Sequence, residues 1–167
     1  ESIGELCIQN GALEVYVASN HTTQERVWTL RRNVAEAFKI ICPIQSLEDV
    51  VVPFAQIPEI MPELDLLSRK YDVLIPCYGH AGDGNLHVTI VKKPETPIEI
   101  WSEKEHDILL ELYNVVKKLG GTISGEHGIG LKRKEYMKVI MDPILIDIQR
   151  QIKAVFDPNN ILNPGKI

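Results

Sequence analysis

Two apolar runs on either side of a glycine-dense turn are the feature that most constrains this chain. Val73 to Gly79 and Leu86 to Val91 are short and rich in β-branched residues, and the turn from Ala81 to Asn85 separates them. Glycine, aspartate and asparagine suit tight turns between strands because they tolerate a positive φ. The pattern therefore predicts two antiparallel strands joined by a tight connection.

Helical periodicity surrounds this predicted hairpin. Apolar spacing and end signals predict four helices: from Thr22 to about Phe38, from about Gln56 to Lys70, from about Pro97 to Leu119, and from Asp142 to about Val155. Two more strands are expected, at Leu13 to Ala18 and at Asp49 to Val52. This order predicts an α+β fold of the ferredoxin-like type, an antiparallel sheet with helices packed on one face. The tail from Asp157 to Ile167 is predicted to be an ordered loop or arm.

Composition excludes several classes of protein. The 167 residues are 44% hydrophobic and 25% charged, which is typical of one globular domain. The longest uncharged run has ten residues, against about 20 for a membrane-spanning helix, so no transmembrane segment is predicted. A net charge of −5 without a basic cluster argues against a nucleic-acid partner. The widely spaced Cys7, Cys42 and Cys77 fit reduced thiols in a cytosolic protein.

Two histidines flank the glycine-dense turn. His80 leaves the first predicted strand and His87 enters the second, so antiparallel pairing brings both imidazoles within reach of one ion. Neutral imidazole is the commonest metal donor near neutral pH. The alternative is that both histidines are structural and that the glycines serve only the turn.

A second glycine-rich segment, Gly120 to Gly130, has five glycines in eleven residues, more than the end of one helix requires. Glycine at this density allows close approach of backbone or ligand. Within it, Glu126 could join the two histidines in a set that leaves a divalent metal open to substrate, with the adjacent His127 as a base. The alternatives are a solvated acid beside a structural histidine, or a phosphate-binding loop, although no Gly-Lys-Ser/Thr sequence follows.

Three separated motifs, GHAGDGNLH, GGTISGEHGIG and the terminal FDPNNILNPGKI, together resemble the C-terminal (cap) domain of FAD-linked oxidases, in the vanillyl-alcohol-oxidase-like superfamily. The motifs are most similar to those of glycolate oxidase FAD subunits, D-lactate dehydrogenases and D-2-hydroxyglutarate dehydrogenases, and the likeness extends over essentially the whole chain. The resemblance implies that residues 1–167 form a cap (substrate) domain. It also implies that the N-terminal FAD-binding domain lies outside this chain, which fits a start at Glu1.

The resemblance also implies roles for individual residues. His80, His87 and Glu126 match positions that hold a divalent metal, zinc or manganese. His127 matches the base that takes the hydroxyl proton while the carbon-bound hydrogen leaves as hydride to the flavin. Arg32 matches a position that binds the substrate carboxylate, for which a guanidinium offers a bidentate match.

The tail offers one more candidate residue, and two other positions differ from the family pattern. Asn163 matches a position in a tail that folds toward the flavin and is the candidate cofactor contact. From the sequence alone, Arg31 is as good a candidate for the substrate carboxylate as its neighbour. Phe54 stands where relatives often carry arginine, and Leu47 stands where those with a second cationic contact carry lysine. The reaction class is therefore predicted and the particular hydroxy acid is left open.

The activity implied for the whole protein is oxidation of a small 2-hydroxy acid, of the glycolate or D-lactate type, to the 2-oxo acid. The FAD domain of the same polypeptide and an electron-transfer (iron–sulfur) subunit are the expected partners. The cap alone is expected to be inactive, because the hydride acceptor is held elsewhere. The expected location is the cytoplasm, with membrane association only through a partner subunit. The alternative is a non-enzymatic metal- or ligand-binding α+β module.

Overall fold

A computed structural model describes residues 2–167, and contacts between residues divide the chain into two compact units, residues up to Ile40 and residues from Ile41 onward. The boundary lies at the end of a helix. The sequence has no glycine- or proline-rich linker there, so composition gives no sign of the division.

The first unit is helical. It contains α1 (Ser2–Gln9) and most of α2 (His21–Ile41). Asn20 Oδ1 accepts a hydrogen bond from the Thr23 backbone N–H at 2.9 Å, which is the geometry of an N-cap. The predicted helix is therefore confirmed, but Asn20 takes the capping position that the sequence pattern assigned to Thr22.

The strand predicted at Leu13 to Ala18 is wrong. These residues form no helix or strand, and the side chains of Leu13 and Val17 are 97% and 79% exposed. A β-branched composition favours a strand only where a neighbouring strand pairs with it. Among residues 2–167, no strand pairs with this segment.

The second unit contains the sheet. Strands β1 (Gln45–Val51), β2 (Cys77–His80) and β3 (Asn85–Val91) are antiparallel in the order β1-β3-β2. The predicted hairpin is confirmed, while β1 begins four residues before the predicted Asp49. An isolated antiparallel bridge joins Val51 to Thr122 at the other edge of β1. The order bridge-β1-β3-β2 is that of a ferredoxin-like fold whose fourth strand is reduced to one bridge.

The helices of this unit are α3 (Ile57–Tyr71), α4 (Ile98–Lys118), α5 (Met137–Ile140) and α6 (Pro143–Phe156). The sequence predicts three of them to within two residues and misses the single turn of α5. Asp142 caps α6 by accepting from the Ile144 backbone N–H at 2.8 Å. None of the helices in residues 2–167 has the length and apolar character needed to cross a membrane.

One face of the sheet carries the hydrophobic core. Val50, Val88 and Ile90 are fully buried and lie on this face. They form one cluster with helical side chains, which are Ile60, Leu64 and Leu67 of α3 and Ile108, Leu109, Leu112, Tyr113 and Val116 of α4. The structure is thus the predicted α+β fold, and the second sheet face carries other side chains, among them those of Asp49 and His87.

Candidate metal and substrate site

The site begins with the pairing of β1 and β3. His87 lies on the central strand β3, where it pairs with Asp49 of β1 along one edge and with Tyr78 of β2 along the other. Because their strand neighbours Val50 and Val88 point into the core, these three side chains point to the second face. The sheet therefore gathers polar and aromatic groups on the face away from the helices.

Asp49 fastens the second glycine-rich segment to this face. Its Oδ2 accepts four hydrogen bonds, from the backbone N–H groups of Gly125 (3.0 Å), Glu126 (2.8 Å) and His127 (2.7 Å) and from the Ser124 hydroxyl (2.9 Å). Successive backbone N–H groups that converge on an anion form a nest, and hydrogen bonds to a charged acceptor are the stronger kind. This carboxylate therefore sets the backbone positions from which Glu126 and His127 extend.

Glycine is required where the loop meets the sheet. A Cβ at Gly125 would lie 2.7 Å from the Asn85 side chain, and a Cβ at Gly121 would lie 2.1 Å from the Val51 carbonyl oxygen. Two of the five glycines in this segment are therefore explained by close approach to β1 and β3 rather than by a helix end.

Three ionisable side chains meet beyond the loop. His87 Nε2 and His127 Nε2 each lie 3.5 Å from Glu126 Oε1. The two imidazole rings are stacked, with centroids 5.2 Å apart and planes 8° from parallel. His87 Nδ1 faces Asp49 Oδ1 at 3.8 Å, which is longer than a hydrogen bond. The ring of His87 thus lies between two carboxylates, one toward each nitrogen.

The surroundings set the charge of these groups. Burial lowers the pKa of His87, and the neighbouring His127 lowers it further, while Asp49 and Glu126 act in the opposite direction. Burial acts to raise the pKa of Asp49, but the hydrogen bonds from the loop outweigh it, and the pKa lies below its usual value. His87 is therefore neutral near pH 7, the form that binds a metal, and Asp49 is ionised.

The residues present fit a divalent cation. Asp49, His87, Glu126 and His127 each offer one donor atom, and the four atoms lie within 4.8 Å of one another. Asp49 Oδ1 and His87 Nδ1 are buried and have no hydrogen-bond partner among the described residues. The two atoms face each other at 3.8 Å, so Asp49 occupies the Nδ1 side of the His87 ring and leaves Nε2 directed toward Glu126. A mixed set of imidazole and carboxylate donors suits a divalent ion such as zinc or manganese.

Comparison with known proteins decides the family. The family model described as "FAD linked oxidases, C-terminal domain" matches residues 1–167, the full length of the chain. The chain belongs to this family. Its sequence is 35% identical to the glycolate oxidase subunit GlcD of Bacillus subtilis over 167 residues, 100% of this chain and 35% of that protein. It is 34% identical to a D-lactate dehydrogenase of Anaerostipes hadrus, again over 100% of the chain and 35% of the relative.

A third relative has a different stated activity. A D-2-hydroxyglutarate dehydrogenase of Stutzerimonas stutzeri is 31% identical over 166 residues, 98% of this chain and 35% of that protein. The chain thus spans about a third of the length of the curated relatives that it matches. The predicted resemblance to FAD-linked oxidase C-terminal domains is confirmed, and the family links this domain to FAD.

The structure brings most of the predicted metal and base residues together. His87, Glu126 and His127 lie in the cluster around Glu126 described above. His80 ends β2, and its ring stands edge-on to His87 with the centroids 5.6 Å apart. The cluster of donor atoms within 4.8 Å contains Asp49 in the place where the prediction has His80. The assignment of these residues to a metal and a base stays a prediction.

The other two predicted residues lie elsewhere in the chain. Arg32 belongs to the first unit, where its guanidinium donates to Glu25 Oε2 and to the Thr29 hydroxyl, both at 3.2 Å. Asn163 lies in the tail with a positive φ of 45°, and its carbonyl oxygen accepts from the Lys166 backbone N–H. Their roles toward substrate carboxylate and flavin stay predictions.

A second acidic residue, next to Asp49 in β1, stabilises the other end of the loop from the core side. Glu48 is fully buried and accepts from Arg133 Nε at 2.7 Å, from Lys132 Nζ at 3.2 Å and from the hydroxyls of Tyr113 and Ser46. Burial acts to raise the pKa of Glu48, but these cationic and hydroxyl groups outweigh it, and the pKa lies below its usual value.

Arg133 joins this buried carboxylate to the loop. Besides its bond to Glu48, its guanidinium donates to the backbone carbonyls of Gly128 and Leu47. Glu48 and Asp49 are consecutive and point to opposite sheet faces. Between them they hold both ends of the segment that carries Glu126 and His127.

Sequence reasoning missed both acids because all but one of their side-chain and backbone hydrogen-bond partners lie 65 to 85 residues away. The available signal was an acidic pair followed directly by the apolar Val50, Val51 and Val52. Acids are seldom fully buried without partners, so such a pair within a strand predicts buried cations or backbone donors.

Replacing Asp49 with alanine is expected to free the loop. The change removes the acceptor for four donors, and hydrogen bonds to a charged group contribute about 1.5–3 kcal/mol each. Amide hydrogen exchange of Glu126 and His127 should accelerate roughly 10- to 100-fold, as follows if the opening of each amide is governed by one such bond. The exposed Asp65 of α3 supplies a matched control, Asp65→Ala, which should leave these amides unchanged. Unaltered exchange in the Asp49 variant would show that the loop holds its shape without the carboxylate.

Proposed function

We propose that this chain is the cap (substrate) domain of an FAD-dependent enzyme that oxidises a small 2-hydroxy acid, of the glycolate or D-lactate type, to the 2-oxo acid. The observation that carries the proposal is the convergence of His87, Glu126 and His127 at one sheet face, where their donor atoms and one of Asp49 lie within 4.8 Å of one another. Relatives that the chain matches over its whole length are named for glycolate and D-lactate, and both are 2-hydroxy acids.

In this proposal His80, His87 and Glu126 hold a divalent cation. His87 Nε2 and Glu126 Oε1 are 3.5 Å apart, a separation compatible with two ligands of one ion. Asp49 faces the other ring nitrogen, the place from which a carboxylate orients a metal-bound histidine. A cation held here would supply positive charge at the substrate hydroxyl and carboxylate.

His127 is the proposed base. Its side chain is 38% exposed, so the imidazole can reach a bound substrate while Asp49 holds the backbone of the residue in place. Imidazole is the commonest general base in proteins. FAD, when bound, supplies the hydride acceptor. The hydroxyl proton passes to His127, and the carbon-bound hydrogen leaves with its electron pair. The substrate thereby loses two electrons and two hydrogens and becomes the 2-oxo acid.

The remaining roles follow the family resemblance. Arg32 is proposed to bind the substrate carboxylate, and Asn163 is proposed to lie next to the flavin. An iron–sulfur subunit is the proposed electron acceptor. Phe54, which stands where relatives often carry arginine, is 70% exposed. Leu47 stands where relatives with a second cationic substrate contact carry lysine, and the absence of that cation favours a small substrate with one carboxylate over a dicarboxylate.

The test uses the full-length polypeptide under anaerobic conditions. Glycolate or D-lactate is expected to bleach the oxidised-flavin absorbance, whereas propionate, which lacks the hydroxyl group, should not. Dialysis against a chelator should slow the bleaching, and added zinc or manganese should restore it. A flavoprotein that none of these acids bleaches would overturn the proposed substrate. Metal binding in a full-length protein without flavin would favour the non-enzymatic module.

A further inference from the structure

The outer edge of β1 is completed in part by a side chain. Beyond the backbone bridge at Val51, the carbonyl oxygen of Asp49 accepts from the Gly125 backbone N–H at 3.0 Å. The next carbonyl along this edge belongs to Leu47, and it accepts from Arg133 Nη2. Alternate residues of a strand present their carbonyl oxygens to the same edge. The guanidinium therefore takes the place that a backbone N–H of a fourth strand would have.

The guanidinium of Arg133 makes two further contacts within the unit from Ile41 onward. Nε donates to Glu48 Oε2 at 2.7 Å, and Nη1 donates to the Gly128 carbonyl oxygen at 3.4 Å. A guanidinium is planar and its donors diverge at fixed angles, so this one group sets the spacing of three acceptors. Arg133 thus joins the residue that follows His127 to the edge of β1 and to the buried carboxylate.

Gly128 is held through both of its backbone polar groups. Its N–H donates to the Ser124 hydroxyl oxygen at 2.8 Å, and that hydroxyl donates to Asp49. Its carbonyl oxygen accepts from Arg133. Its φ is 79°, a left-handed conformation that glycine adopts without strain. The loop is therefore fixed by Asp49 on one side of the His127 side chain and by Arg133 on the other.

We propose that Arg133 is a positioning residue for the oxidation: by holding Gly128, it fixes the direction in which the His127 imidazole meets the substrate. This inference rests on the proposed function. Proton transfer requires close placement of the base, and a misplacement of about 1 Å can slow a reaction about 100-fold. Lysine cannot replace this arginine, because an ammonium group has no planar array of donors that reaches a carboxylate and two carbonyl groups at once.

The experiment compares two substitutions in the full-length protein. Arg133→Lys keeps a cation beside Glu48 but loses the planar array of donors. Lys132→Met is the matched control, because Lys132 donates to the same carboxylate and to Ser46 rather than to the loop backbone. Anaerobic stopped-flow reduction of the flavin by glycolate or D-lactate gives the limiting rate and the substrate affinity separately.

The two variants are expected to differ in kind. Arg133→Lys should lower the limiting rate of flavin reduction about 10- to 100-fold and change substrate affinity by less than about twofold. Lys132→Met should unfold at a lower temperature and keep the limiting rate of the unmodified protein. An unchanged limiting rate in Arg133→Lys would overturn the positioning role. Equal losses of rate in the two variants, or a loss of affinity in proportion to the rate, would also overturn it.

Amide hydrogen exchange separates this inference from the proposed function. If neither acid reduces the flavin of the unmodified full-length protein, the proposed function fails. The hold on Gly128 is measured independently of activity, because its amide should exchange roughly tenfold faster in Arg133→Lys than in Lys132→Met. Equal exchange rates would show that Arg133 does not fix the loop and would overturn the inference.

Discussion

Replacing His127 with asparagine in the full-length protein is expected to slow flavin reduction by the hydroxy acid about 10²–10⁴-fold, the usual contribution of a general base. Asparagine keeps the backbone N–H that bonds to Asp49 at 2.7 Å, so the loop should retain its position. The variant loses only the imidazole, whose Nε2 lies 3.5 Å from Glu126. Stopped-flow absorbance at the flavin band measures the rate.

Measuring kcat and substrate affinity separately distinguishes a catalytic role of His127 from a structural one. Loss of a base lowers kcat and leaves substrate affinity largely intact, whereas loss of site geometry also weakens binding. His106→Asn is the matched control, because His106 lies on α4, bonded to the Tyr136 hydroxyl at 3.0 Å, outside the cluster. The control should reduce its flavin at the normal rate. If His127→Asn did so as well, His127 would not be the base.

Replacing Glu48 with alanine is expected to lower the free energy of unfolding by about 3–5 kcal/mol, the usual cost of removing one partner of a buried ion pair. Glu48 is fully buried, and the side chain of Arg133 is only 12% exposed. The change leaves Arg133 Nε and the Tyr113 hydroxyl without their acceptor in the core. Urea denaturation gives the loss of stability.

An exposed acid provides the comparison for Glu48. Glu111 is 38% exposed and pairs with the exposed Lys70, so Glu111→Ala should cost about 1 kcal/mol or less. Equal costs for the two variants would show that burial of the Glu48 network adds nothing. The pKa of Glu48 is lowered in the folded protein, so its contribution is present above the unfolded pKa of about 4.3. That contribution should be lost as the pH falls through the folded pKa.

The elements that sequence predicted well are those with local signals. The helix α6 follows Asp142-Pro143, and both the cap and the first helical residue act within one turn. The hairpin of β2 and β3 follows from glycines and an aspartate in the turn, where Asp83 Oδ1 accepts from the Asn85 backbone N–H at 3.0 Å. Signals of this kind need no distant partner.

The features that sequence missed depend on distant partners. The segment Leu13 to Ala18 has a strand composition, but a strand needs a neighbour, and its sequence says nothing about whether one is present. The start of β1 at Gln45 was missed because its polar residues, such as Ser46 and Glu48, find their donors in a segment more than 80 residues later.

Glu48 and Asp49 point to opposite faces of β1, which makes a one-residue shift of this strand against β3 unfavourable. A shift of one residue against β3 would move Glu48 to the face of His87 and would place Asp49 among Val88 and the helices. Both carboxylates would then lose their cationic and backbone donors together. Glu48 and Asp49 together thus favour the native register of the sheet over a one-residue slip during folding. A one-residue slip of β1 against β3 would therefore cost the core and the site their contacts together, so that pairing is strongly disfavoured.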